Sequence, residues 1–197
     1  MAPGVAMNVR RQGAPGPTLY IFAGLPATGK STLAQRLACR LGACYLRIDT
    51  VEQGLRDLCH VRVEGEGYRL AYRIARDNLL IGSDVVADSC NPIAPTRAEW
   101  DEVARACHAR PVNIQIVCSD CAEHRRRVET RLAEIAGLQL PGWNEVVGRE
   151  YHGWSVAPII IDTAGKSVDS CLAELLLAIG LPPTLGAPGD EPNAEDQ

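Results

Sequence analysis

The eight residues Gly24-Leu-Pro-Ala-Thr-Gly29-Lys30-Ser31 constrain this chain more than any other feature of its sequence. They satisfy the spacing G-x-x-x-x-G-K-[ST] and stand between an apolar, β-prone run, Thr18–Ala23, and a stretch of helical character, Lys30–Leu41. A glycine-containing turn from strand to helix lets successive backbone N–H groups point into one concavity, and the positive end of the helix adds to the field there. Such a concavity suits phosphate oxygens. Gly24, Leu25, Pro26, Ala27 and Thr28 form the candidate turn, and Gly29 lets it close against the helix. Lys30 is expected to reach the β- and γ-phosphates of ATP, Ser31 to offer its hydroxyl to Mg²⁺, and Thr32 to assist at the α-phosphate.

Around this loop the chain alternates. After Lys30–Leu41 the pattern predicts a strand over Cys44–Ile48, helices over Val51–Cys59 and Tyr68–Ile81, and a strand over Val85–Ala87. A helix over Pro95–Ala109, a strand over Val112–Val117, a charged helix over Ala122–Ile135, a strand over Ile159–Ile161 and a helix over Val168–Ile179 complete it. Strands alternating with helices imply parallel pairing through right-handed crossovers, hence a three-layer α/β sandwich with a parallel sheet of about five strands. Residues 1–17 and 181–197 lack apolar periodicity and are rich in Pro and Gly, the latter ending acidic, so they read as a flexible leader and tail around one domain, 18–180.

Size and charge narrow the function. With 197 residues the chain has room for one ordinary α/β domain, and its net charge of −4 disfavours a nucleic-acid partner. No run is long and apolar enough for a membrane helix and no signal-peptide core opens the chain, so the expected location is cytoplasmic. Oligomeric state is open between monomer and homodimer. Cys118 and Cys121 form a C-x-x-C pair without a second pair at zinc-site spacing, so a metal or redox role is disfavoured.

In open α/β sheets ligands bind beyond the carboxyl ends of the strands, which gives weight to the acids there. Asp49 is expected to close the second strand, where a carboxylate can take the proton of an attacking hydroxyl; capping the helix that begins near Thr50 is the alternative job. Asp88 ends the apolar run Asp84-Val-Val-Ala-Asp88 as an acid able to hold Mg²⁺, and Ser89-Cys90-Asn91-Pro92 forms a polar turn beside it. Arg127 and Arg131 are four residues apart, on one face of a helix, and together suit transferring phosphoryl oxygens. Gly137–Gly148 reads as the rest of a helical lid, to which Arg149 adds charge; Arg56 is a candidate clamp on the acceptor.

Taken together, Gly24–Thr32, Arg47-Ile-Asp49, Val85–Ser89 and Arg125–Arg131 resemble the P-loop kinases of the AAA-domain "predicted kinase" group, which is similar to gluconate kinase, zeta toxin, chloramphenicol phosphotransferase and polynucleotide kinase. The resemblance covers about Thr18–Gly180. It implies a P-loop NTPase sandwich that moves a phosphoryl group from ATP to a hydroxyl, with Asp49 as base and the segment Ile161–Ala164 bordering adenine. It does not imply a substrate. No second region resembles the sensor and arginine-finger parts of a ring ATPase. The leading expectation is therefore a kinase of a small hydroxyl-bearing molecule, a metabolite or an antibiotic. A polynucleotide 5′-hydroxyl kinase and a nucleotide-dependent switch without an acceptor are the alternatives.

Overall fold

The computed structural model describes residues 16–183, so the expected leader and acidic tail lie almost wholly outside the described residues. At its centre is β1 (Thr18–Ala23), six residues that are all buried. A run apolar on both faces can only be an interior strand covered by helices on either side. It pairs in parallel with β3 (Val85–Asp88) and β4 (Arg110–Val117); β2 (Cys44–Arg47) and β5 (Ile159–Asp162) add parallel outer strands, in the order β2-β3-β1-β4-β5.

The side-chain period of two divides β1 between two cores. Leu19 and Ile21 face Ala71, Ala75 and Leu79 of α3 (Glu66–Leu80) and Trp100 of α4 (Ala94–Ala106). Tyr20 and Phe22 face Leu33 and Leu37 of α1 (Lys30–Leu41) and Leu175 of α7 (Val168–Ala178). Trp100 is fully buried and meets Tyr72 edge to face at 4.5 Å, which anchors α3 to α4. The expected three-layer sandwich with five parallel strands is the observed one.

Of the boundaries that differ from expectation, three have a clear local reason. The second strand stops at Arg47, and α2 (Ile48–Cys59) starts at once, so Asp49 lies in the first turn of a helix rather than at a strand end. The helix cap is Arg47, which leaves Asp49 free of the capping job. α4 ends at Ala106 because His108 turns left-handed (φ 52°), and the N–H groups of His108 and Ala109 close back on the carbonyls of Arg105 and Ala104. The arginine helix α5 (Cys121–Thr130) is shorter than the expected 122–135. Its start is fixed by the Asp120 carboxylate, which accepts from the N–H groups of Ala122 and Glu123. At its end the Thr130 hydroxyl takes the Arg126 carbonyl, and Arg131 is extended. Beyond it the chain runs irregularly to a short helix, α6 (Trp143–Val147). No helix among the described residues is long and apolar enough to cross a membrane.

Candidate active site

The turn between β1 and α1 is tied down from outside. Gly24 N–H donates to Cys90 O at 3.1 Å, and the Thr28 hydroxyl donates to Leu25 O at 2.9 Å. Gly24 has φ 144°, and a Cβ there would stand 2.3 Å from Ile116 O, so no other residue fits. The Pro26 carbonyl is met by His124 Nε2 at 2.8 Å, and the Thr28 carbonyl by the Thr163 hydroxyl at 2.8 Å. In a trans peptide the N–H points opposite to the C=O, so the amides that share these two peptides, those of Ala27 and Gly29, point away from His124 and Thr163. Ala27 and Gly29 both line the cleft, while the Thr28 N–H donates to Leu25 O at 3.4 Å.

Lys30 is 7% exposed in that cleft. Burial alone pulls its ammonium down, but its acidic neighbours Cys90, Asp88 and Asp49 outweigh burial and hold it above the ordinary lysine value. It is therefore a fixed cation where phosphate oxygens would lie. Ser31 and Thr32 line the same cleft of about 370 Å³, opposite Asp49, Arg127 and Arg131. Asp88 is 2% exposed; its Oδ2 accepts from the Tyr45 hydroxyl at 2.7 Å and lies 3.8 Å from Arg47 Nε, while its Oδ1 is buried without a hydrogen-bond partner. Burial, and then the Asp88 charge, push the Tyr45 phenol far up, so it remains a donor. The unpartnered Asp88 Oδ1 and the Ser31 hydroxyl in the phosphate cleft are both hard oxygen donors, the ligand type Mg²⁺ takes.

Asp49 stands where three clefts meet. It lines the phosphate-side cleft, a second of about 380 Å³ bounded by Tyr68, Ser89, Cys90, Pro92 and Arg149, and a third under Leu138–Pro141 that also holds Lys30, Arg131 and Arg149. Glu52, one turn along α2, shares the second cleft, and burial raises its carboxyl above the ordinary range despite its ion pair with Arg56 at 3.1 Å. Arg56 is thus held by Glu52 and by Gln53 at 3.4 Å, though it still borders the third cleft.

Arg127, in α5, and Arg131, just past its end, separate in role. Arg127 donates to the Thr163 hydroxyl (2.8 Å), the Thr163 carbonyl (3.0 Å) and Glu123 (2.6 Å), and it borders a cleft with Lys166 and Val168 beyond β5. Arg131 is half-buried beside Asp49 and Lys30, and its Nε has no hydrogen-bond partner. Burial pulls its guanidinium below the ordinary arginine value, opposed by Cys90 and Asp49. Arg125 is spent on Glu129 at 2.8 Å.

Sequence reading missed Arg97. It is 6% exposed and donates to the carbonyls of Asn91, Pro92, His152 and Gly153 at 3.0–3.1 Å, with its guanidinium 3.9 Å from the Trp154 ring centre and 5.0 Å from that of Tyr151. It joins the loop after β3 to the segment that follows Arg149. The expected polar turn Ser89–Pro92 belongs to this assembly, since Asn91 Oδ1 accepts from Thr96 at 2.7 Å and its N–H donates to the Tyr68 hydroxyl at 3.2 Å. Also missed was Arg47, which pairs with Glu134 at 2.7 Å and so ties β2 to the segment over the phosphate cleft.

Known proteins agree with this fold. A family model described as AAA domain matches residues 19–137. No curated protein matches the chain. Among solved structures, a gluconokinase from Sinorhizobium meliloti 1021 is similar at 14% identity over 84% of this chain and 91% of that one, with a TM-score of 0.58. The Mycobacterium tuberculosis APS kinase CysC, in complex with AMPPNP and APS, is similar at 18% identity over 84% and 99%, TM-score 0.60. Chaetomium thermophilum Kti12, in complex with ADP-AlF3, is similar at 21% identity over 82% and 98%, TM-score 0.59. At these identities the likeness establishes a shared P-loop fold.

Proposed function

This chain belongs to the AAA-domain family, and from that premise we propose that it is an ATP-dependent phosphotransferase whose acceptor is a hydroxyl of a small molecule. The observation that carries the reading is the position of Asp49, at the junction of the Lys30 cleft with the Tyr68–Arg149 cleft. A carboxylate there touches a molecule entering from one side and phosphate oxygens lying on the other. The kinase names among similar folds support the reaction type by analogy only.

In the proposed step the acceptor oxygen attacks the γ-phosphorus, the bond from phosphorus to the β–γ bridging oxygen breaks, and ADP leaves with that electron pair. Asp49 takes the hydroxyl proton as the new O–P bond forms. Lys30 and Arg131 stabilise the charge that spreads over the γ-oxygens, and the backbone amides of Ala27 and of Gly29–Thr32 hold the β-phosphate. Arg127, pinned to Thr163 and Glu123, borders the β5–α7 side, where it supports the adenosine end. Ser31 and Asp88 would hold Mg²⁺, which when bound offsets charge on the β- and γ-oxygens.

The test incubates the protein with Mg²⁺ and γ-labelled ATP against separate pools of hydroxyl metabolites, antibiotics and 5′-hydroxyl oligonucleotides. Label in a small-molecule pool supports the proposal. Label in the oligonucleotide pool makes the protein a polynucleotide kinase. Slow release of free phosphate alone makes it a nucleotide switch.

A further inference from the structure

His124 is a histidine in a helix otherwise crowded with arginines, and the reaction proposed above makes no use of it. It is 6% exposed, and its Nε2 lies 2.8 Å from the Pro26 carbonyl in the middle of the phosphate turn. A carbonyl only accepts, so Nε2 carries the proton and the ring is held as its donor. Trp143, in α6, stands edge-on to the imidazole with ring centres 5.4 Å apart and planes at 89°, which fixes the orientation of the ring.

The consequence runs through one peptide unit. In a trans peptide the C=O and the N–H point in opposite directions, and all peptides among the described residues are trans. Holding the Pro26 carbonyl toward His124 therefore aims the Ala27 N–H away from that ring, and Ala27 lines the cleft with Gly29, Lys30 and Ser31. Ala27 also has φ 65°, a left-handed conformation that costs a residue with a Cβ about 1–2 kcal/mol. Left to itself this turn would relax by rotating that peptide. The next carbonyl but one, Thr28 O, is held in the same way by Thr163, so α5 and the end of β5 between them set two alternate peptides of the cradle.

We propose that His124 is a positioning residue for the nucleotide phosphates: it keeps the Ala27 amide pointed at them and does not touch the base. The inference rests on the reading of this cleft as the ATP site. It makes α5 a fixed buttress of the phosphate loop and leaves the irregular chain after Thr130 as the part able to close.

The proposal predicts a defect confined to phosphate recognition. Dissociation constants for Mg-ATP and for adenosine are measured by calorimetry on the full chain, together with thermal melting. In His124→Leu, ATP affinity falls about tenfold, the loss of one well-placed hydrogen bond to the cradle, while adenosine affinity stays within about twofold. His124→Gln, whose amide nitrogen reaches the place of Nε2, restores ATP affinity to within about threefold. Should His124→Leu fail to fold, His124→Asn, with an amide too short to reach Pro26, is read in the same way. A folded Leu or Asn variant that binds ATP within twofold of the native protein overturns the proposal. So does an equal loss of ATP and adenosine, which marks a merely structural histidine. If the native protein binds adenosine but gains nothing from the phosphates, the ATP reading itself fails, a result separate from either variant outcome.

Discussion

The two sides of Asp49 are built by different means. On the phosphate side the groups that would touch the ligand come from one continuous stretch, Gly24–Thr32, in which the Pro26 and Thr28 carbonyls are held by His124 and Thr163 and the Leu25 carbonyl by the Thr28 hydroxyl. On the acceptor side the walls come from α2, α3, the loop after β3, α4 and the chain near Arg149, and one buried arginine, Arg97, ties two of those pieces together. A cradle made of backbone recognises what all nucleoside triphosphates share. A pocket made of side chains from five places can change its occupant without changing the fold.

The largest effect is expected at the most deeply buried charge of the phosphate side. Lys30→Met should lower phosphoryl transfer at least about a thousandfold and weaken ATP binding, because Arg131, the second cation at the γ-oxygens, is only half-buried and does not replace the buried ammonium. Transfer retained within tenfold would break the account of this side. Next is Gly24→Ala, which forces a Cβ against Ile116 O at φ 144°. A loss of about 3 kcal/mol or more in urea unfolding is predicted, since neither strand can move aside.

Arg97→Met tests the other side. The carbonyls of Asn91, Pro92, His152 and Gly153 lose their donor, for an expected loss of about 2–4 kcal/mol of stability. The acceptor KM should rise about tenfold with ATP affinity within twofold, and equal damage to both would dissolve the contrast between the two sides. The smallest effect belongs to Glu134→Gln. Its pair with Arg47 is 63% exposed at the glutamate end, and exposed pairs contribute roughly 1 kcal/mol or less, so ATP affinity should change less than about threefold.

The same contrast explains what the sequence made legible. Thr18–Thr32 could be read in full because strand, turn and helix are local and each residue type has a local reason: Gly24 for its φ, Lys30 for its charge, the apolar run for its burial on both faces. Asp49 was singled out, but its place in the first turn of α2 was not read. Nothing in Cys44–Ile48 marks where pairing with β3 gives way to helix. The Arg127–Arg131 pair was read from spacing alone, and spacing does not show that Thr163, 36 residues beyond Arg127, holds one of the two. Arg97 and His124 escaped because their partners are backbone carbonyls, which carry no sequence signal.

The most direct test of the central claim is to compare Asp49→Asn with the native protein in two readings, Mg-ATP affinity and transfer of γ-label to the acceptor pool that accepts it. The account predicts transfer lowered about a hundred- to ten-thousandfold, with ATP affinity within threefold. Transfer that survives the substitution, or is lost only in proportion to ATP binding, would contradict it.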